Sequence, residues 1–541
     1  RYYLEDPDKY GHEDEKGNYI VDDEAGLEAD LETWADDNLT SYNVNEEIAK
    51  IYENWISKNS GSIRPQSGLN SGNVYKLAEP EVALFNDVID QAKTFSDVAL
   101  FVISRDGGEN VGEIPSNYLD ITAAERSTIT YLKQHFAKVI VILNTTNTMH
   151  MGFLDELDVD ACLYVGLTGQ SGARAIPDIL SGKVNPSGKF TDIVTRSAAV
   201  AQKYDPTFVN REAVSNSISY IDDIYYGYKW FETADVEEFF KGYENSFGTG
   251  YNAVVQYPFG HGLSYTEFDQ EIVSVTYGEN NVRLKDGDKL DQLDAGTEIT
   301  VKVKVTNVGS VAGKDVVQLY YTPQYKGGIE KAHVNLLDFG KTTTLKPNAS
   351  EEVTLKFTPY DMASYDAYDK NKNSFWGYEL ESGSYEIKLM ANSHEVIDSV
   401  DLVLESGKLI DKDPVTGVKV SNRFTGADSA WDASKYNGYA YANLGSDGYE
   451  AGISRDVWLS RSNFKETYPA KRHSGASGSL VNAANRYYND AYAELLPKDY
   501  KKEIDAELYL AVLVTKDAEG KIISTEKPTK AHLEGAKPDE G

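Results

Sequence analysis

Two kinds of apolar pattern alternate between residues 45 and 196. "NEEIAKIYENWISKN" (45–59) spaces Ile48, Ile51, Trp55 and Ile56 along one helical face, and "EPEVALFNDVIDQAK" does the same with Val82, Phe85, Val88, Ile89 and Ala92. "DVALFVI", "KVIVILN" and "VDACLYVG" are unbroken apolar runs of strand length. "TAAERSTITYLKQHF" separates the first two runs, with Thr122 and Glu125 spaced as a capping box. "QSGARAIPDILSG" predicts a helix after the third. Apolar strands interleaved with helices predict a mostly parallel sheet covered on both faces. Ligands of such sheets bind at the carboxyl ends of the strands.

The period changes near residue 270. "TEITVKVKVTNVG" alternates strictly, putting Ile299, Val301, Val303 and Val305 on one face, and "DVVQLYYT", "EEVTLKFT", "GSYEIKLMA" and "SVDLVLE" continue the theme. This predicts an all-β sandwich of immunoglobulin or fibronectin size. Residues 406–541 form a third, irregular region. It is rich in Gly, Ser and Tyr, has a helical stretch near 481–495 and one apolar run, "AELYLAVLVT", and ends in a polar tail. The expected division is 1–268, 269–405 and 406–541, and no repeat of fixed period is present.

Composition narrows the chemistry. At 541 residues the chain needs two to four cores. Its 53 basic and 86 acidic residues give a net charge of −33, which repels nucleic acid and anionic membranes and suits neutral or cationic small substrates. The single cysteine, Cys162, allows no intrachain disulfide and reads as a small core residue. No apolar run reaches membrane-spanning length. The chain opens on Arg1, so it reads as cut from something longer and the lack of a signal peptide decides nothing; a bacterial cytoplasmic and an exported protein both stay open.

Several motifs fail on inspection. "GLTGQSG" (166–172) carries Thr168 where a dinucleotide fingerprint needs its second glycine, so a tight turn opening a helix is the better reading. "KDGDKLDQLD" lacks the glycine and terminal glutamate of a calcium loop and reads as a polar hairpin. The eight histidines have no metal-ligand spacing, and neither a Gly-x-Ser-x-Gly elbow nor a P-loop occurs.

"ISRDGGEN" (103–110) is different. It ends an apolar strand, and Gly107 and Gly108 let the backbone turn sharply to raise Glu109 toward a ligand. Glu109 is then a general acid or a solvated loop charge.

Three further strings decide how to weigh it. "GKVNPSGKFTDIVTR" (182–196), "VVQYPFGHGLSYTEF" (254–268) and "VTNVGSVAGKDVVQLYYT" (305–322), in this order, resemble glycoside hydrolase family 3, the β-glucosidase and β-xylosidase family, over about residues 45–405. The resemblance implies an α/β sandwich followed by a fibronectin type III-like domain and a connector. It also implies a retaining β-glycosidase that needs no cofactor or metal and acts on β-linked oligosaccharides or aryl glycosides. Glu109 matches the family's acid/base, Glu113 is a rival in the same loop, and Arg105 is expected to bind substrate. The loop departs from the family pattern after Glu109, continuing as "NVGEIPSNY", and Thr168 and Ala173 replace usual residues near "GQ". No stretch matches the barrel that carries the nucleophilic aspartate. "SNRFTGADSA" and "LSRSNFKETYP" (460–469) resemble the connector of reversed-order members, in which the barrel follows. The chain alone is therefore expected to hydrolyse little. A non-catalytic carbohydrate-binding or scaffold module is the alternative. In the same strings, "NPSGK" and "YPFGHGLSY" read as turns, the second packed by Tyr257, Phe259, Leu263 and Tyr265, while "DIYYGYKWF" lines either a cleft or a domain interface.

Overall fold

The computed structural model describes residues 11–13, 19–21, 45–63, 78–105, 119–169, 172–197, 200, 224–278, 280–366, 369–420, 460, 461, 464, 513–516 and 522–526. Two compact units are present. The smaller contains an antiparallel hairpin of Leu513–Lys516 with Ile522–Glu526. The larger contains the other described residues. The helix expected near 481–495 lies outside the described residues.

The larger unit begins with a short hairpin, Gly11–Glu13 with Tyr19–Val21, and a helix α1, Glu46–Ile63. Where one helix was expected over 82–92, the chain makes a 3₁₀ turn, Val82–Phe85, and then α2, Ile89–Phe95. Both pieces bury the expected face through Phe85, Ile89 and Ala92. Tyr52 of α1 packs against Phe85, with ring centroids 5.7 Å apart.

The three apolar runs form β1 (Val98–Arg105), β2 (Lys138–Thr145) and β3 (Ala161–Tyr164), parallel and in sequential order. Helix α3, Ala123–His135, crosses from β1 to β2 and opens on the capping box: Glu125 N donates to Thr122 Oγ1 at 3.1 Å, and Thr122 N donates to Glu125 Oε2 at 2.7 Å. Phe101, Ile103, Val141, Leu143 and Ile129 form the core under the sheet with Met149 and Met151. The expectation of burial on both faces holds for central β2, where Ile142 is buried as well as Val141 and Leu143. It does not hold for β1, whose Leu100 and Val102 are about half exposed. Among the described strands β1 has a neighbour on one side only, and an apolar run does not reveal which strand is outermost.

The turn after β3 has Gly166 at φ 62° and Gly169 at φ 60°, and leads through a short 3₁₀ turn into α4, Ala175–Leu180. Helix α5, Tyr228–Val236, buries Trp230, Phe231, Thr233 and Ala234, and the strand Val255–Tyr257, paired antiparallel with Val194–Thr195, closes the α/β part.

The β-sandwich starts at Phe268. Its four-stranded sheet runs in the order Val282–Leu284, Phe268–Tyr277, Ile299–Asn307, Ser350–Phe357. The facing five-stranded sheet runs Asp288–Lys289, Val396–Leu404, Gly383–Met390, Val316–Pro323, Asn335–Lys341. Ile299, Val301, Val303 and Val305 are each 0% exposed, as strict alternation demands. "KDGDKLDQLD" is not a hairpin: Asp288–Lys289 pairs in parallel with Leu402 and Val403, and Asp291 accepts from Glu405 N and Ser406 N. Lys408–Ile410, from the segment read as connector, pairs antiparallel with Gly377–Leu380, and Ile410 is buried in the same core as the sandwich strands.

"NPSGK" and "YPFGHGLSY" are two sides of one junction between the α/β part and the sandwich. Phe190 N donates to His261 O, Gly260 N donates to Phe190 O, and Lys189 Nζ donates to Gly262 O. Asn185 accepts from Ser264 Oγ and Tyr265 N and donates to Ala312 O of the sandwich. Gly260 sits at φ 83°, where Gln318 of the sandwich would collide with any Cβ, and a Cβ on Gly262 would overlap the Gly188 carbonyl. Tyr257 and Phe259 pack as expected, on Phe190 and Tyr228 respectively. Leu263 does not, being 77% exposed, and Tyr265 is 47% exposed while its hydroxyl donates to Ile179 O. The turn is held by backbone hydrogen bonds, which leaves these two side chains outside.

Candidate functional site

The carboxyl edge of the parallel sheet presents Arg105, Thr145 and Tyr164 at the ends of its three strands. Tyr164 Oη donates to Thr145 O at 3.1 Å, tying β3 to β2 at this edge. Arg105 is the last residue of β1. Its position in the alternation turns it inward after Phe101 and Ile103, and its side chain is 0% exposed.

A buried guanidinium needs an anion and acceptors for its N–H groups. Glu125, from the first turn of α3, supplies the anion with both oxygens: Nη1 to Oε1 is 2.7 Å and Nη2 to Oε2 is 2.8 Å. Nη1 also donates to Ser104 O at 2.9 Å, and Nη2 to Asp120 O at 3.0 Å. The same Glu125 closes the capping box on Thr122. Leu119 O accepts from His150 N, which fixes the chain against the segment after β2. The chain therefore leaves β1 at Arg105 and returns at 119–122 to one clamped point.

Glu109 and Glu113 belong to the loop between, and both lie outside the described residues. Arg105 is described, and its charged end faces Glu125 inside the protein. The sequence showed Glu125 only as a cap; its pairing with a residue twenty positions earlier carries no local signal. Glu79 is a second residue with none. Burial lifts its carboxyl to about 7, and the charge of Glu125 adds to this while Arg105 opposes it. It sits in the field of the same clamp.

Two other buried groups have different roles. His150, 7% exposed, has Nδ1 2.5 Å from Thr195 Oγ1, and burial lowers its pKa to about 4. Burial pushes the Cys162 thiol up to about 12, as befits a packing residue.

"DIYYGYKWF" lies at the interface of the two parts. Tyr225 Oη donates to Glu330 at 2.6 Å, Leu336 N donates to Tyr228 Oη at 3.0 Å, and Glu232 accepts from Tyr251 Oη and Ser393 Oγ and lies 2.8 Å from His394 Nδ1. Phe464, from the segment read as a connector, stacks on Trp230 with centroids 4.5 Å apart. Beside it, Arg461 bonds Glu237 and Lys331 O. Among the described residues, no group of three His, Cys, Asp or Glu side chains is arranged to hold a metal ion, and no helix is long and apolar enough to cross a membrane.

Comparison with known proteins agrees with this architecture. Residues 21–265 match the glycosyl hydrolase family 3 C-terminal domain, and residues 315–393 match the fibronectin type III-like domain. A beta-glucosidase of Ruminococcus albus is 30% identical over 372 residues, which are 68% of this chain and 34% of that protein. Beta-glucosidase A of Butyrivibrio fibrisolvens is 32% identical over 61% of this chain and 41% of its own length. The crystal structure of a beta-glucosidase from Paenibacillus barengoltzii superposes with a TM-score of 0.54 at 27% identity, covering 70% of this chain and 40% of that one. The chain thus spans between a third and a half of the length of these relatives.

Proposed function

The chain belongs to glycosyl hydrolase family 3, and from that premise we propose that it supplies the acid/base half of a retaining β-glycosidase acting on terminal β-linked sugars. Glu109 is the proton donor, with Glu113 as the competing carboxylate in the same loop. The nucleophile is an aspartate on a barrel domain of the same polypeptide. In the first step Glu109 protonates the glycosidic oxygen while the aspartate attacks the anomeric carbon. In the second, Glu109 takes a proton from the water that releases the sugar. The two carboxyl groups then stand roughly 5 to 5.5 Å apart across the bond.

One observation supports this reading above the rest. The loop that carries Glu109 starts and ends at the buried Arg105–Glu125 clamp, at the ligand-binding edge of a parallel sheet. A proton donor must be held within hydrogen-bond reach of its target, and a fixed loop base serves that end. We accordingly assign Arg105 to holding this loop and not to contacting sugar. The names of these three relatives, each a beta-glucosidase, favour a β-glucoside as substrate.

Hydrolysis of p-nitrophenyl β-glycosides tests the proposal, using this chain and the same polypeptide extended through a downstream barrel. Only the extended protein should turn over. Its Glu109→Ala variant should lose about 10²–10⁴-fold on poor leaving groups, lose much less on activated aryl glycosides, and regain turnover with azide. Glu113→Ala should behave as wild type. Wild-type rates for Glu109→Ala on every leaving group would sink the assignment. An extended protein that binds sugars but never hydrolyses them would make the chain a binding module.

A further inference from the structure

Where α5 meets the sandwich, the larger unit holds a cavity of about 390 Å³, within the range of small-molecule sites. It lies apart from the parallel sheet's carboxyl edge and has no part in the proposed hydrolysis. Lys229 of α5 forms one wall, Tyr321 of the strand Val316–Pro323 another, and Asn335, Ser364 and Tyr365 complete it.

Several of these groups have unused hydrogen-bonding capacity. Lys229 Nζ lies over the Tyr226 ring at 5.5 Å and forms no ion pair or hydrogen bond among the described residues. Burial lowers its pKa. Tyr321 is 7% exposed, yet its hydroxyl has no hydrogen-bond partner among the described residues. Asn335 donates its amide to Ala332 O and keeps its Oδ1 open, and Ser364 Oγ is likewise without a partner among the described residues. The Tyr321 hydroxyl and the Lys229 ammonium therefore face the hollow with no protein partner among the described residues, and a ligand entering it would find both available.

Charge limits what that is. Lys229, Lys331 and Lys370 line the cavity against Glu330, Asp361 and Asp366. The lining is balanced, the chain carries a net charge of −33, and an anion would meet three carboxylates. A neutral ligand is favoured. The site offers a pure donor in Lys229, a pure acceptor in Asn335 Oδ1, and two hydroxyls that do both. That set matches the adjacent hydroxyls of a pyranose, each donor and acceptor at once. Leu336 and the ring of Tyr365 give the flat C–H face of such a ring an apolar partner.

We propose that this cavity binds a neutral sugar of one or two rings, held by Lys229, Tyr321, Asn335 and Ser364. The probes are glucose, cellobiose and glucuronate, titrated against the 541-residue chain by saturation-transfer NMR. Glucose or cellobiose should bind saturably. Lys229→Met should weaken binding about tenfold. Tyr321→Phe, which deletes one oxygen and keeps the ring, should weaken it severalfold, so the proposal stays testable if the lysine variant fails to fold. Glu109→Gln should leave this binding intact, which separates the cavity from the proposed active site. Absence of saturable binding, binding indifferent to both cavity variants, or a preference for glucuronate would each overturn the proposal.

Discussion

Removing the charge of Glu125 should destabilise the α/β part far more than removing its helix cap. The Arg105 and Glu125 side chains are 0% and 4% exposed, and water cannot replace a lost anion there. Breaking one partner of such a buried pair costs about 3–5 kcal/mol, and losing an N-cap costs about 1 kcal/mol. Glu125 does both jobs, because Oε2 accepts from Arg105 Nη2 and from Thr122 N. Three variants separate them. Thr122→Ala removes the cap acceptor and should cost about 1 kcal/mol. Glu125→Gln keeps an oxygen for Thr122 N but strands the guanidinium, and should cost about 3 kcal/mol. Glu125→Ala loses both and should cost about 4–6 kcal/mol. Equilibrium urea unfolding followed by far-UV circular dichroism reads these differences. With a slope of about 2 kcal/mol/M, the Gln variant should move the midpoint down by about 1.5 M. A double variant, Arg105→Met with Glu125→Leu, should recover much of the loss, since a buried pair replaced by apolar side chains is often neutral. The reasoning fails if Glu125→Gln costs no more than Thr122→Ala.

Three further outcomes follow from the structure. Burial holds His150 at a pKa of about 4, below its unfolded value, so the unfolded chain binds more protons in acid. Its contribution is complete above about pH 6.5 and is lost as pH falls toward 4, a loss of about 3 kcal/mol that His150→Gln should flatten in urea midpoints measured against pH. His394 runs the other way: burial alone would lower its pKa, but the hydrogen bond and charge of Glu232 raise it, so its share is present in acid and lost as pH rises through that raised value, a trend His394→Gln should abolish. Gly262→Ala should cost about 1–3 kcal/mol through overlap with the Gly188 carbonyl, whereas Gly188→Ala, with open space around its Cβ, should stay within about 0.5 kcal/mol of wild type by thermal melting; equal effects would show that the two strings do not pack as described.

Local rules reached what is local. The Thr122–Glu125 box depends on a spacing of three, and the burial of Ile299, Val301, Val303 and Val305 on a spacing of two, so both are legible in the order of residues alone. What depends on distant partners is not. "DVALFVI" gives no sign that β1 is the outermost of the described strands, nor that its Leu100 and Val102 stand half exposed. Arg105 and Glu125 are an ordinary loop arginine and an ordinary cap until the fold brings them within 2.7 Å. Phe464 reads as connector, and its stacking on Trp230 depends on a return of the chain across more than two hundred positions. Cavities are the extreme case. Lys229, Tyr321, Asn335 and Ser364 share no spacing, and their common feature is an unused hydrogen bond.

The strings that carry the family resemblance therefore speak to a different question from the one asked of Glu109. "NPSGK" and "YPFGHGLSY" meet each other at the junction: Asn185 reaches Ala312, Gly260 admits Gln318, and Lys189 binds Gly262. The contacts of Asn185 with Ala312 and of Gln318 with Gly260 fix how the α/β part sits on the sandwich, and that of Lys189 with Gly262 ties the two strings together. None touches the carboxyl edge of the sheet. A chain could keep every one of them and still lose the proton donor proposed above, because none of these contacts involves the segment between Arg105 and Leu119. The converse also holds: substitutions at the junction should change stability while leaving the leaving-group dependence of hydrolysis untouched. The junction and the loop proposed to carry the chemistry can thus be tested separately. That is why the azide rescue of Glu109→Ala in the extended protein bears on function in a way that no further matching of junction residues can.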